Sequence, residues 1–344
     1  MKHINIPIFI PHLGCPNTCV FCNQRSISGV REFELGSVRL TIEEHLKTAS
    51  LDDEVEIAFF GGSFTGIDRG LMISLLDISK EYVERGLVQS VRCSTRPDYI
   101  NEEILDILSL YKVKIIELGI QSASEKVLKL SKRGHGIEDT KRAMSLIKER
   151  GFSLVGQMMI GLPGSDLDSE IKTAELIISS GAVGARIYPT VVFKDTELME
   201  MSHRGEYIPL TLEEATDRSA EVLMRFINGG VPVIRIGLCS NENLDSENTY
   251  YGGPNHPAIG ELVINKLYYK LILEKASEMK LTKDDVLVVY VSRTSLSKAV
   301  GQHAMNRKLL KSVLGIKDIR FVESDSLTDY SVKLQTETGE KQCI

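Results

Sequence analysis

From the N-terminus to about residue 236 the chain alternates two hydrophobic patterns. Short β-branched or aromatic runs predict strands at Ile4–Ile10, Val55–Phe60, Val88–Cys93, Lys114–Leu118, Ser153–Met159 and Ala185–Tyr188. Between them lie segments whose apolar residues recur every three or four positions, predicting helices over Leu71–Arg85, Glu102–Leu110, Ile137–Arg150 and Ser169–Ser180. In the third of these, Ala143, Met144 and Ile147 share one face. Gly86, Gly151 and Gly181 each follow such a segment, as helix C-caps do. A further helix is predicted over residues 211–230, where Thr211 and Glu214 form a capping box. Alternating βα units imply a parallel sheet with right-handed crossovers. The predicted fold class is therefore α/β, a partial (βα)6 barrel of TIM type, with Val231–Ile236 as a candidate further strand.

Unusual residues gather at the strand ends. The first strand runs into a cysteine-rich loop, and the second ends in Phe60-Gly61-Gly62-Ser63-Phe64. The third ends in Ser94-Thr95-Arg96-Pro97-Asp98 and the fourth in Gly119-Ile120-Gln121-Ser122. The fifth ends in Gly161-Leu162-Pro163-Gly164 and the sixth in Tyr188-Pro189-Thr190. In a barrel all these C-terminal ends meet at one rim, where active sites form. Each motif has a structural alternative: a tight turn at Gly61-Gly62, a surface charge at Arg96, a helix cap at Gln121 and Ser122, a core side chain at Phe21.

The cysteine loop sharpens the picture. Cys15, Cys19 and Cys22 are separated by three and then two residues. Three thiolates leave one coordination position unfilled, whereas structural zinc sites are normally closed by four ligands. A four-iron cluster with three cysteine ligands keeps one iron free for a small molecule. Cys93, Cys239 and Cys343 show no paired pattern, which suits a reducing cytoplasm. No apolar run approaches the roughly 18 residues of a membrane span, and no secretory signal precedes the first strand. The net charge of −6 gives no global attraction to nucleic acid, although a local basic patch would.

The cysteine spacing resembles that of the radical S-adenosylmethionine (SAM) enzymes. The resemblance implies a 4Fe-4S cluster on Cys15, Cys19 and Cys22, with SAM chelated to the open iron. One electron, from a donor such as flavodoxin or ferredoxin, would cleave SAM to methionine and a 5'-deoxyadenosyl radical. It further implies that Gly61 and Gly62 border the methionine amino group and that Phe21 lies against the adenine. Ser94, Arg96, Gln121 and Gln157 become candidate SAM ligands, Arg96 through a bidentate grip on the carboxylate. The position two residues past Cys22 is Gln24, where haem-pathway decarboxylases carry a further cysteine.

Over residues 5–240 the chain is similar to the radical SAM domain of the Elongator catalytic subunit family, which modifies wobble uridine of tRNA. The motifs that carry this are Ser94-Thr95-Arg96-Pro97-Asp98-Tyr99, Glu117-Leu118-Gly119-Ile120-Gln121-Ser122, Arg133-Gly134-His135, Gly151-Phe152, Met158-Met159 and Ile187-Tyr188-Pro189-Thr190, with Thr196–Leu198 and Arg204–Tyr207. There are departures. The cysteine gap is shorter, no N-terminal RNA-binding extension is expected, and too few residues follow position 280 for an acetyltransferase domain. Glu54 stands where the family places a lysine that contacts acetyl-CoA, so no acetyl-CoA is expected as partner.

The expected domains are a barrel over 1–240, a connecting loop and helix closing it over 241–280, and a small α/β unit over 281–344. In the connection, His256 follows Gly252-Gly253-Pro254-Asn255, as a structural turn or as a group acting on substrate. In the last unit, Val286–Val291 and Asp318–Val322 predict strands, and Ser297–Gly301 and His303–Leu314 predict helices. The segment Gly301-Gln302-His303-Ala304 resembles the GxxG loop of KH modules, with Ala304 in place of the second glycine. Arg293, Lys298, Arg307, Lys308, Lys311, Lys317 and Arg320 face only Asp318 between 292 and 320, a phosphate-binding footprint or a solvated helix face. The leading expectation is a radical SAM enzyme acting on tRNA or another RNA. The alternatives are one acting on a small metabolite or peptide, and a non-catalytic iron–sulfur RNA-binding or sensor protein.

Overall fold

The computed structural model describes residues 2–10, 15, 19–23, 33–50, 52–238 and 249–337. Six parallel strands run in sequence order: β1 (His3–Phe9), β2 (Glu54–Phe60), β3 (Ser90–Thr95), β4 (Val113–Gln121), β5 (Ser153–Ile160) and β6 (Gly184–Pro189). A seventh, Val233–Ile236, extends the sheet beyond β6, so the further strand anticipated near 231–236 is part of the barrel. The sheet is a half-barrel rather than a closed one: β1 and the seventh strand are its two edges.

Strand alternation separates the two faces. Val55, Ile57 and Phe59 of β2, Val91 and Cys93 of β3, and Ile116, Leu118 and Ile120 of β4 pack with the helices in the main core. Their neighbours Glu56, Arg92 and Glu117 point to the opposite, inner face. The helices start and stop where short polar residues and glycines allow. Asp68, Asn101 and Asp166 accept backbone N–H bonds in the first turns of 69–84, 102–110 and 167–179. The capping box of Thr211 and Glu214 opens helix 212–228. Gly86, Gly151 and Gly181 have φ of 70°, 76° and 77°, the left-handed conformation of a C′ glycine.

Two strand boundaries differ most from the pattern-based expectation. The third strand is Ser90–Thr95, two residues later than predicted. The fourth continues to Gln121, because Gly119–Gln121 stay in the ladder through a register shift. Helices at Leu35–Leu46 and Glu197–His203 carry too few periodic positions to stand out in the sequence, whereas Glu125–Leu130 follows the cap anticipated at Gln121 and Ser122.

The C-terminal unit has its own core. Strand Val286–Val291 lies between Asp318–Glu323, parallel to it, and Val332–Glu337, antiparallel to it. Leu287, Val289 and Val291 pack on Tyr268, Ile272 and Leu310. Helix Ile259–Ser277 belongs to both cores: Ile259, Val263 and Leu267 to the barrel, Tyr268, Ile272 and Ala276 to the C-terminal unit. It is thus more than a closing element. Tyr330 N–H donates to Tyr268 Oη at 2.8 Å, fastening the last strand region to the same helix.

Candidate functional site

The strand ends do converge. Beyond β2, Gly61 has φ 106°, and a Cβ there would lie 3.1 Å from the backbone N and O of Ile10. This glycine is required by close approach of its own chain, a turn role that the structure makes plain. The next polar residue, Ser63, is buried, and Cys15 Sγ lies 3.6 Å from its Oγ. Beyond β3, Arg96 is 2% exposed. Its Nε and Nη2 donate to Asp98 at 2.9 and 3.0 Å, and Nη2 also reaches the carbonyl of Arg133. The bidentate fork that the resemblance assigned to a ligand carboxylate is therefore taken by Asp98. Burial pushes the Asp98 carboxyl up, but the hydrogen bonds and charge of Arg96 outweigh it and hold the group below the usual range.

Cys19 is the focus of this rim. It is buried, and two guanidinium groups reach its sulfur: Arg133 Nη1 at 3.4 Å and Arg96 Nη1 at 3.9 Å. The backbone around it is anchored from both sides. Val20 N–H donates to Ser131 O at 3.2 Å, Leu198 N–H donates to Val20 O at 2.8 Å, and Cys22 N–H donates to Cys19 O at 3.0 Å. Phe21 packs with Val20, Val192, Leu198 and Tyr207, a core contact. Cys22 is half-buried and Cys15 exposed.

Gln121 sits at the end of β4 with φ 65°, strained for a side chain of its size, and is 5% exposed. Gly119 makes room for it: a Cβ there would lie 2.8 Å from Arg133 Nη2 and 3.1 Å from Gln121 Nε2. Ser122 serves the adjacent helix, its Oγ accepting from Ser124 N–H at 3.2 Å. Ser94 and Gln157 are half-buried on the inner face; Ser94 is paired with Glu117 and Gln157 with Gly119 in the ladder.

Among the described residues, seven buried side-chain atoms lack a hydrogen-bond partner, and four of them (Gln121 Oε1, Ser131 Oγ, Arg133 Nε and His135 Nε2) belong to this rim. Buried polar atoms are normally satisfied, so such a concentration marks a place where a polar ligand would supply the missing bonds. Burial and the charge of Arg133 push the His135 imidazole down to about 4, which keeps it neutral. No three Cys, His, Asp or Glu side chains converge on a point among the described residues, as ligands of a single metal ion must. Cys15 lies beside Ser63, and Cys19 beside Arg96 and Arg133. Soft thiolate donors of this kind fit an iron–sulfur cluster.

Below the rim the inner face carries a charged layer that the sequence analysis missed. Arg92 bridges Glu56, through Nε at 2.8 Å, and Glu117, through Nη1 at 3.0 Å. Arg186 lies 2.9 and 3.0 Å from the two oxygens of Glu117 and stacks over Phe60 at 5.7 Å. Ser90 and His3 complete the shell of Glu56. Desolvation opposes ionisation of Glu56, yet Ser90 and Arg92 together lower its pKa. The signal was available: opposite charges at matching positions of neighbouring, otherwise apolar strands.

The remaining described candidates fall outside the rim. Cys93 is fully buried in the helix-facing core, where desolvation raises its pKa strongly, so it is an inert thiol. His256 Nδ1 accepts from Ala258 N–H at 3.1 Å, ahead of helix 259–277, the structural-turn alternative. Cys239, Gln24 and Cys343 lie outside the described residues. In the C-terminal unit Gly301 has φ 78°, and His303 and Ala304 are left-handed at 52° and 56°. Ala304 thus adopts the backbone that glycine favours at the position where the KH-type motif carries one. Among the described residues no helix is long and apolar enough to cross a membrane.

Comparison with known proteins identifies the family and the fold. Residues 9–177 match the model of the radical SAM superfamily, and residues 182–269 that of the Radical_SAM C-terminal domain. An uncharacterized protein of Methanocaldococcus jannaschii is 32% identical over 62% of this chain and 68% of its own length. A tRNA uridine(34) acetyltransferase of Methanocaldococcus infernus is 34% identical over 52% of this chain, but only 37% of that protein is covered. The solved archaeal Elp3 of Methanocaldococcus infernus, with its N-terminus deleted, superposes with a TM-score of 0.61 and 24% identity, over 80% of this chain and 63% of that one. The half-barrel fold is shared.

Proposed function

The chain belongs to the radical SAM superfamily, and we propose from that premise that it is an enzyme whose SAM-derived radical modifies RNA, most directly tRNA. Cys15, Cys19 and Cys22 would hold a 4Fe-4S cluster, which, when bound with SAM, supplies a 5'-deoxyadenosyl radical on receipt of one electron from a flavodoxin- or ferredoxin-type donor. The observation that carries the reading is buried Cys19 under the guanidinium groups of Arg96 and Arg133, at a strand-end rim where Gln121, Ser131, Arg133 and His135 each leave a buried polar atom unbonded.

The residues of the chain divide the work. The backbone bonds of Val20 to Ser131 and Leu198 fix Cys19 in place. Gln121 Oε1 offers an acceptor to an amino or hydroxyl group of SAM, and Ser94 and Gln157 face the same inner surface. Arg96 is locked in place by its ion pair with Asp98 instead of serving as a free clamp. Phe21 closes one side by packing on Val192 and Leu198. The sheet and this packing keep water from a reactive intermediate.

RNA as substrate is supported by the tRNA-acting relative and by the basic helix of the C-terminal unit, where Arg307, Lys308 and Lys311 are exposed. Acetyl transfer is not part of the proposal, since Glu54 stands where the resemblance expects a lysine. The test is anaerobic reconstitution with iron and sulfide, followed by measurement of 5'-deoxyadenosine from SAM and reductant, with and without bulk tRNA. Formation that rises with tRNA supports both halves of the reading. Formation indifferent to tRNA keeps the enzyme and turns the search to metabolites or peptides. A loaded cluster that yields none refutes catalysis and leaves a sensor.

A further inference from the structure

Arg133 carries a positive charge 7% exposed, and among the described residues no carboxylate lies within ion-pair distance of it. Its Nη2 donates to the carbonyl of Gly119 at 2.8 Å, its Nη1 to Cys19 Sγ at 3.4 Å, and its Nε has no partner. Arg96, the other cation at this sulfur, is already neutralised by Asp98. An unpaired buried charge is costly, and a group built to tolerate one expects its counter-charge from elsewhere. The surrounding loop is shaped for this purpose. Lys132 at φ 49° and Gly134 at φ 82° bend the chain so that Ser131 O holds Val20 while the Arg133 side chain turns back onto Cys19.

We propose that Arg133 sets the reduction potential of the cluster held by Cys19, by donating a hydrogen bond and an otherwise unpaired positive charge to that cysteine sulfur. The inference rests on the radical SAM reading. Hydrogen bonds to cluster sulfurs and local charge are established levers on iron–sulfur potentials. Reduction adds one negative charge to the cluster, so a cation at its ligand favours the reduced form and raises the potential. Arg133 is then a positioning residue that acts through Cys19, not one that touches the reacting atoms.

The experiment uses the full-length protein, reconstituted anaerobically, in three forms: native, Arg133→Met and Arg133→Lys. Iron content, thermal unfolding and the midpoint potential from a mediator-buffered dithionite titration followed by electron paramagnetic resonance are measured. With equal iron loading, Arg133→Met should lower the reduced-to-oxidised ratio at a fixed potential about tenfold, a shift of about 59 mV for one electron. Arg133→Lys, which keeps the charge but not the fork, should recover most of it. If Arg133→Met loads poorly while Arg133→Lys loads fully at near-native potential, charge at Cys19 is again upheld. Native potentials in both loaded variants would overturn the proposal. So would failure of both to load, since Arg133 would then be only a brace for the loop. A native protein that binds no cluster would overturn the radical SAM reading itself and this inference with it.

Discussion

Two polar layers lie on the inner face of one sheet, and they are built on opposite principles. In the lower layer each charge faces its opposite: Glu56 with Arg92, Arg92 with Glu117, Glu117 with Arg186. In the upper layer, at the strand ends, Arg133 has a sulfur and a carbonyl but no carboxylate, and Gln121, Ser131 and His135 each leave an atom unbonded. Both layers are buried, so the contrast does not come from solvent. The paired layer has its charges matched when the chain folds, although Arg186 Nε, within ion-pair distance of Glu117, makes no aligned hydrogen bond. An unpaired layer is finished only by what binds to it. The proposed function sits where the protein leaves its own polar groups unsatisfied.

Breaking the lower layer should have the largest effect on the fold. Arg92→Met leaves Glu56 and one side of Glu117 buried without their shared cation. Removing one partner of a buried ion pair costs about 3–5 kcal/mol. Urea unfolding should show a loss of that size, with little change in the slope. A native midpoint would mean that this layer is looser or wetter than its geometry states. The upper layer should respond in the other sense. Gln121→Met removes a buried, unbonded carbonyl whose burial costs about 1–3 kcal/mol, so the unfolding midpoint should hold or rise. SAM affinity, measured on the reconstituted protein by equilibrium binding, should fall about tenfold, or about 1.4 kcal/mol. A fall in stability with unchanged SAM binding would move Gln121 into the structural layer.

A smaller effect sharpens the same contrast by pH. The His135 pKa is lowered from 6.5 to about 4, first by burial and then by the charge of Arg133. Its folded form therefore resists a proton that the unfolded chain accepts. Stability from this residue is complete above about pH 6.5 and is lost progressively as pH falls towards 4. His135→Gln should flatten that part of the stability profile relative to the native protein, and leave the profile above pH 7 parallel. An unchanged slope between pH 4 and 6.5 would show that His135 is open to water.

The lower and upper layers also differ in how far the sequence exposed them. The strand ends were visible because glycines, prolines and isolated polar residues interrupt apolar runs at Gly61-Gly62, Arg96-Pro97 and Gly119–Gln121. Cys93 could be set apart from Cys19 by strand parity alone, since it alternates with Arg92 on the side of Val91. Arg133 and His135 stand out in the sequence only as part of a family motif, because they follow the C-terminus of the short helix 125–130, which no glycine or proline marks. That Arg96 spends its fork on Asp98 depends on the turn at Pro97, which sequence proximity suggests but does not orient. The charges of Glu56, Arg92, Glu117 and Arg186 are visible in the sequence as interruptions of apolar strands, but which of them pair depends on the register of neighbouring strands.

The smallest expected effect tests whether the C-terminal unit belongs to the site or only to the architecture. Its basic helix, Met305–Leu314, presents Arg307, Lys308 and Lys311 to solvent, and Arg307 is partly spent on Asp318 at 3.2 Å. Lys308 is therefore the better probe, with no ion-pair partner within 4.0 Å among the described residues. If this face tracks an RNA backbone, Lys308→Glu should weaken tRNA binding uniformly across sequences and reduce the slope of log affinity against log salt by about 1. The same substitution should leave unfolding unchanged, because the residue is exposed and unpaired. The core beneath it, Leu287 and Val289 against Ile272 and Leu310, does not involve that side chain. An unaltered salt slope would assign the RNA contact, if tRNA stimulates SAM cleavage at all, to the barrel rim, and would leave the C-terminal unit as a brace clamped to helix 259–277.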